Sequence, residues 1–175
     1  CCEMATGNYI GLFDHDDVLH PSVLYYYMEA ICEKGADYIY CDECTFQGKS
    51  VDNMITLHFK PDYSPDNLCA NNYICHFSVF ARELLDSTEL FRTQFDGSQD
   101  HDMILRLTAR AKCIVHIPKL LYYWRSHKGS VAADINAKSY AIDAAKGAVS
   151  DYLRGKGYAY FDWNVDSDDD LWYSK

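Results

Sequence analysis

The run Tyr9-Ile10-Gly11-Leu12-Phe13-Asp14-His15-Asp16-Asp17 constrains this chain more than any other. Four of its first five residues are apolar or aromatic, the pattern of a buried strand, and three carboxylates follow at once. Charges at the end of a buried strand are costly unless paired, and a divalent cation is the usual partner. In open α/β sheets such a strand end is also where ligands sit. Pro21 is placed for the first turn of a helix. In an extended segment alternate residues share a direction, so Asp14 and Asp16 address one ligand while Asp17 turns toward the helix. Their hard oxygens select Mg²⁺ or Mn²⁺. The stretch reads as the edge of a metal-dependent active site.

The chain has 175 residues, of which 49% are hydrophobic and 15% aromatic, enough for one globular domain with a substantial core. A formal charge of −10 argues against a nucleic-acid partner held through phosphates, though not against a nucleotide whose charge a cation offsets. No apolar run approaches the roughly 20 residues of a membrane span, and no secretory signal opens the chain. Eight cysteines are scattered through helical and strand-like patterns, as expected of buried free thiols in a reducing cytosol. Cys41-Asp42-Glu43-Cys44 is a single CxxC without a second pair at zinc spacing.

In order, the first residues resemble a helix end, and Val23, Tyr27, Ala30 and Ile31 mark an amphipathic helix closed by Gly35. Ala36–Cys41 is a second strand followed by Asp42 and Glu43, which predicts a βαβ unit with its acids on one edge of a parallel sheet. Residues 45–63 read as an irregular polar connection. Ser64 and Pro65 open a short helix, Tyr73–Phe80 reads as a strand, and Arg82–Asp86 as a brief helical turn. A helix from about Ser98 to Ala111 follows, then two short strands broken by Pro118. A long helix from about Asp134 to Arg154 precedes an acidic tail, Asp166–Asp170, which reads as solvated.

Asp100 heads the stripe Asp100, Ile104, Leu107, Ala111 on the inward face of its helix. An inward carboxylate at a helix start suits a general base, because the dipole keeps it ionised and partial burial tunes it. Asp102 lines up with Arg106 and Arg110 and reads as a solvated ion pair. Arg125, His127 and Lys128 cluster after the last strand, where they suit a diphosphate, or His127 a metal shell. His15, His20, His76, His101 and His116 show no ligand-like spacing.

These residues resemble the inverting family 2 glycosyltransferases of the GT-A fold. The resemblance is carried by Ala5–Asp17 with its Asp14-His15-Asp16 (DXD) motif, Tyr40-Cys41-Asp42-Glu43, Gln99–Leu107, His116–His127 and Gly129-Ser130-Val131. The similarity is to rhamnosyltransferase-like, polysaccharide-building bacterial members. It implies an α/β, Rossmann-related mixed sheet flanked by helices, without the N-terminal nucleotide-binding strands. On that reading residues 1–160 form a partial catalytic domain and 161–175 an acidic extension.

The resemblance further implies that Asp14 contacts the nucleotide ribose and Asp16 the Mn²⁺ or Mg²⁺ bridging the diphosphate, with Asp14 and His127 completing the metal shell and Arg125 on the nucleotide sugar. Asp100 matches the base that deprotonates the acceptor hydroxyl. The donor would be a UDP- or dTDP-sugar, the acceptor a saccharide or glycolipid, and the setting the cytoplasmic side of a membrane, reached peripherally through the full-length protein. Gln99 stands where many members have glutamate, which removes one negative neighbour of the base. The expectation is a C-terminal portion of a catalytic domain, with little or no activity by itself. Two other readings compete: a metal-dependent phosphoester hydrolase using Asp14, Asp16, Asp17 and histidines, and a non-catalytic sugar-binding module. Saturable nucleotide-sugar binding that requires Mn²⁺ separates the transferase from both.

Overall fold

The computed structural model describes residues 2–126 and 139–159. In chain order these form β1 (Tyr9–Gly11), β2 (Val18–Leu19), α1 (Val23–Lys34), β3 (Tyr38–Gln47), β4 (Met54–His58) and α2 (Pro65–Ala70). Then come β5 (Val79–Ala81), α3 (Arg82–Asp86), α4 (Gln99–Thr108), β6 (Ile114–Ser126) and α5 (Ser139–Gly155), with 3₁₀ turns at Cys2–Met4 and Thr93–Phe95.

The strands form one mixed sheet in the order β1-β5-β3-β6-β2, with β4 paired to the far half of β3. β3 and β6 are parallel along their whole length, and every other pairing is antiparallel. The βαβ expectation therefore needs correcting. β1 and β3 do run the same way, but antiparallel β5 lies between them. β6, from much later in the chain, is the parallel neighbour of β3.

β3 divides the interior because successive side chains point to opposite faces. Tyr38 and Tyr40 join Leu68, Phe80, Met103, Ile104 and Leu107 in the layer under α4. Ile39 and Cys41 join Val23, Tyr27, Ala30 and Val115 in the layer under α1. α1 begins at Val23 with Ser22 in the capping position, two residues later than a first-turn Pro21 requires. It ends at Gly35, whose left-handed backbone (φ 66°) lets its N–H reach the carbonyls of Ala30 and Ile31. α2 starts as its sequence dictates, with the Ser64 hydroxyl accepting from the N–H of Asn67 and Pro65 in the first turn.

Four further expectations change. β3 does not stop at Cys41 but carries Asp42 and Glu43 inside the sheet, because both acids find hydrogen-bond partners there (see below). Residues 45–63 are not wholly irregular: β4 folds back on β3 as a hairpin partner. Of the expected Tyr73–Phe80 strand only Val79 and Phe80 pair, in β5, while the His76 N–H donates to the Glu43 carboxylate. Pro118 does not break β6. The register slips between Cys41 and Glu43, so the proline sits in a bulge where no ladder N–H is needed.

α4 and α5 pack together, with Val149 joining Met103, Ile104 and Leu107, while Ala144 and Ala148 close on Phe95. Gly97 (φ 95°) makes this approach possible, since an added Cβ would fall 2.6 Å from the Tyr140 ring. The expected start of α5 near Asp134 and the acidic tail fall outside the described residues. Among the described residues no helix is long and apolar enough to cross a membrane.

Candidate active site

β1 delivers the chain to the sheet edge, and residues 14–17 then close a turn in which the Asp17 N–H donates to the Asp14 carbonyl at 3.2 Å. The alternation argument fails here because the segment is a turn and not extended. The three acids separate by environment: Asp14 is exposed, Asp16 is partly exposed, and Asp17 is buried. Asp17 points not to the helix but to β6. One of its oxygens accepts the Arg125 N–H at 2.6 Å, and the other accepts the Tyr122 hydroxyl. Burial raises its pKa, against these two donors and the charge of His76.

Arg125 locks the same loop from its side chain. Its guanidinium lies 4.5 Å over the Phe46 ring and donates to the Asp16 carbonyl at 2.6 Å and to the Gly48 carbonyl. This holds the acidic turn against the end of β3. His127 and Lys128 lie outside the described residues.

Asp100 occupies the first turn of α4 and is partly buried, with Ile104 and Leu107 below it in the core as the helical stripe requires. Burial pushes its carboxyl above the ordinary range; His76 opposes this and Asp14 adds to it. The fold therefore brings Asp14, from the end of β1, and Asp100, from the start of α4, within electrostatic reach of each other. Gln99 turns its amide oxygen back to accept the Gly97 N–H at 2.8 Å.

Asp14 and Asp16 are the two hard oxygen donors on the turn, and among the described residues no group of three or more metal-binding side chains forms. Two carboxylates suit Mg²⁺ or Mn²⁺, which keep waters and take the remaining ligands from substrate phosphates. The donor set fits such an ion.

Asp102 corrects the expectation of a solvated ion pair. It is 1% exposed. It accepts from the guanidinium of Arg92 through both oxygens and from Arg106 at 2.8 Å. Burial alone would raise its pKa, but the two guanidinium groups hold it below the usual value. Arg106 continues to the carbonyls of Glu89 and Leu90, so the acid ties the preceding loop to α4.

Sequence reading missed a second constellation. Glu43 is buried in β3, and Lys60 donates to it at 2.8 Å while also reaching the carbonyls of Ile74 (3.0 Å) and His76 (3.3 Å). The His76 N–H donates to the same carboxylate at 2.5 Å, and its ring Nδ1 lies 3.4 Å away. Burial would raise the pKa of Glu43, but Lys60 and His76 bring it down to about 2. On the other face, His116 stacks on Tyr40 and meets Asp42 at 2.8 Å. Two acids in a strand were the available signal, since buried carboxylates demand buried cations. Lys60, in a stretch that reads as irregular, carried no signal of its own.

The CxxC is structural: Cys41 and Cys44 are fully buried, and burial raises both thiols, Cys41 to about 11. The seven described cysteines are all free. Cys32 is exposed, and Cys75 lies in a loop, not a strand.

No protein-family model matches the chain. It is 42% identical over 156 residues to the uncharacterized protein y4gI of Sinorhizobium fredii (strain NBRC 101917 / NGR234), covering 86% of this chain and 17% of that protein. It is 32% identical over 152 residues to the O-antigen biosynthesis protein RfbC of Myxococcus xanthus, covering 86% of this chain and 12% of that one. The chain thus spans less than a fifth of the length of either relative. Among solved structures it resembles S. aureus TarS 1–349 in complex with UDP-GlcNAc, with a TM-score of 0.61 and 15% identity over 82% of this chain and 42% of that chain. The complex with UDP gives a TM-score of 0.58 and 16% identity over 90% and 50%. The mixed sheet flanked by helices is the fold that this chain shares with those structures.

Proposed function

We propose that this chain is a C-terminal portion of the catalytic domain of a glycosyltransferase that moves a sugar from a nucleoside-diphosphate donor, UDP- or dTDP-linked, to a hydroxyl of a saccharide or glycolipid acceptor. The observation that carries the reading is the acidic turn after β1 together with the half-buried Asp100 in the first turn of α4, where burial and, more weakly, the like charge of Asp14 raise the Asp100 carboxyl. The fold shared with a structure holding UDP-GlcNAc and the likeness to a protein named for O-antigen biosynthesis support it. The setting is polysaccharide assembly on the cytoplasmic side of a membrane, which the full-length protein meets peripherally.

Asp100 takes the proton from the acceptor hydroxyl. Burial makes its carboxylate more basic than an exposed aspartate, which suits a general base. The freed oxygen attacks the anomeric carbon from the face opposite the leaving nucleoside diphosphate, so the configuration inverts. Asp14 faces the nucleotide, and Arg125 fixes the turn that carries Asp14 and Asp16. Asp16 and Asp14, joined by His127, would hold Mn²⁺ or Mg²⁺, which supplies positive charge to the diphosphate oxygens.

Calorimetric titration with UDP and dTDP, each with and without Mn²⁺, tests the reading. Metal-dependent binding that disappears in Asp16→Ala supports it. No binding here but binding in a chain extended at its N-terminus supports the family and makes this length incomplete. No binding in either sinks it.

A further inference from the structure

Away from the acidic turn, α4 and the last turns of α5 border an open cavity of about 420 Å³. Four cations line it, Arg92, Arg106, Arg110 and Lys156, against two acids, Asp102 and Asp151. Leu105, Ala148 and the partly buried Tyr152 supply apolar wall between them. The whole chain carries a formal charge of −10, so a positive cavity runs against the composition and is a local arrangement.

The two acids do not use up the four cations. Asp102 is held between Arg92 and Arg106, and Arg92 also reaches Asp151 at 3.2 Å. Arg110 and Lys156 are placed differently. The Arg110 guanidinium donates to the Arg106 carbonyl at 3.1 Å, and the Lys156 ammonium lies 5.5 Å over the Tyr152 ring. Neither has a carboxylate partner among the described residues. Cations also serve helix C-termini, each of which carries about half a negative charge. The ends of α4 and α5 together with the two acids call for about three positive charges, and four line the cavity. Arg154, 3.7 Å from Asp151, adds to the surplus. An oxyanion is what such a surplus attracts, and guanidinium groups suit phosphate oxygens in particular. The volume lies within the range of small-molecule sites, so it holds more than a single ion.

We propose that this cavity binds a phosphate-bearing ligand, a diphosphate or phosphate diester whose oxygens meet Arg110 and Lys156 while its carbon portion rests on Leu105, Ala148 and Tyr152. The site is separate from the acidic turn. Asp100 shares its helix face with Ile104 and Leu107, whereas Asp102, Leu105, Arg106 and Ala109 line the cavity from the opposite face of α4. The proposal therefore stands whether or not Asp100 is a catalytic base.

The test is calorimetric titration of the full chain with inorganic pyrophosphate in metal-free buffer, beside flotation with phosphatidylglycerol vesicles. Binding of either probe should weaken roughly tenfold in Arg110→Gln, and likewise in Lys156→Gln, the low end for a hydrogen bond to a charged group. Pyrophosphate binding assigns the site to a free phosphorylated ligand, and vesicle binding alone to a lipid headgroup. Both side chains are exposed, so circular dichroism should report an unchanged fold. Asp16→Ala should leave binding as it is. Binding of neither probe, or binding indifferent to Arg110 and Lys156, overturns the proposal. So does binding that appears only in a chain carrying Asp166→Asn, Asp168→Asn, Asp169→Asn and Asp170→Asn, because the chain's own acids would then satisfy the cations.

Discussion

The phenol of Tyr122 donates its proton to Asp17 while its ring lies flat against His76, with centroids 5.5 Å apart. One residue of β6 therefore joins the acidic turn after β1 to the buried Glu43–Lys60–His76 network.

Tyr122→Phe keeps the stacking and removes the donor. A buried carboxylate then loses a partner, at a cost of about 1–3 kcal/mol, and the turn carrying Asp14 and Asp16 loosens. Urea unfolding should show the loss of stability, and Mn²⁺-dependent UDP affinity should fall with it. Unchanged stability would mean that Asp17 finds water instead.

Asp102 decides between two estimates. A solvated pair would contribute little, whereas removing a buried acid between Arg92 and Arg106 takes that partner from both and leaves Arg92 only the partly exposed Asp151. Asp102→Ala should therefore destabilise by about 3–5 kcal/mol. A change below about 1 kcal/mol in denaturant unfolding would restore the solvated reading.

The Glu43–His76 pair gives stability a defined pH window. Glu43 is lowered to about 2 from an ordinary 4.5, so its contribution is complete above 4.5 and is lost as pH falls toward 2. His76 is raised above 6.5, so its contribution is complete below 6.5 and is lost as pH climbs through the raised value. Stability measured from about pH 3 to about pH 9 should peak between those ordinary values, and Glu43→Gln should flatten the acid side.

Asp100→Asn removes the proposed base without removing the acidic turn. Turnover, measured in the shortest chain that transfers sugar, should drop by about 10²–10⁴-fold while UDP affinity holds. Asp16→Ala should do the reverse, losing UDP affinity first. Equal losses of affinity in both variants would place Asp100 in binding.

Much of the candidate site is legible because its chemistry is local. Asp14 and Asp16 announce themselves by following an apolar run, and Asp100 by heading a helical stripe that the structure buries at Ile104 and Leu107. Ser64, Pro65 and Gly35 mark helix ends through backbone preferences that act within a turn. Asp102 was misjudged because its position on a helix face suggests Arg106, while its second partner, Arg92, arrives from a separate loop.

The sequence by itself determined the main helical spans, the acidic run after a short strand, the inward carboxylate and an α/β architecture, since each depends on periodicity or capping over a few residues. Tertiary structure alone decided that antiparallel β5 separates β1 from β3, that β3 runs on through Asp42 and Glu43, and that Lys60 and His76 neutralise the second of these acids. Strand order and buried ion pairs join residues distant along the chain. The attraction that offsets the cost of burying these charges is strong only in the low-dielectric interior that exists once the sheet has closed around them.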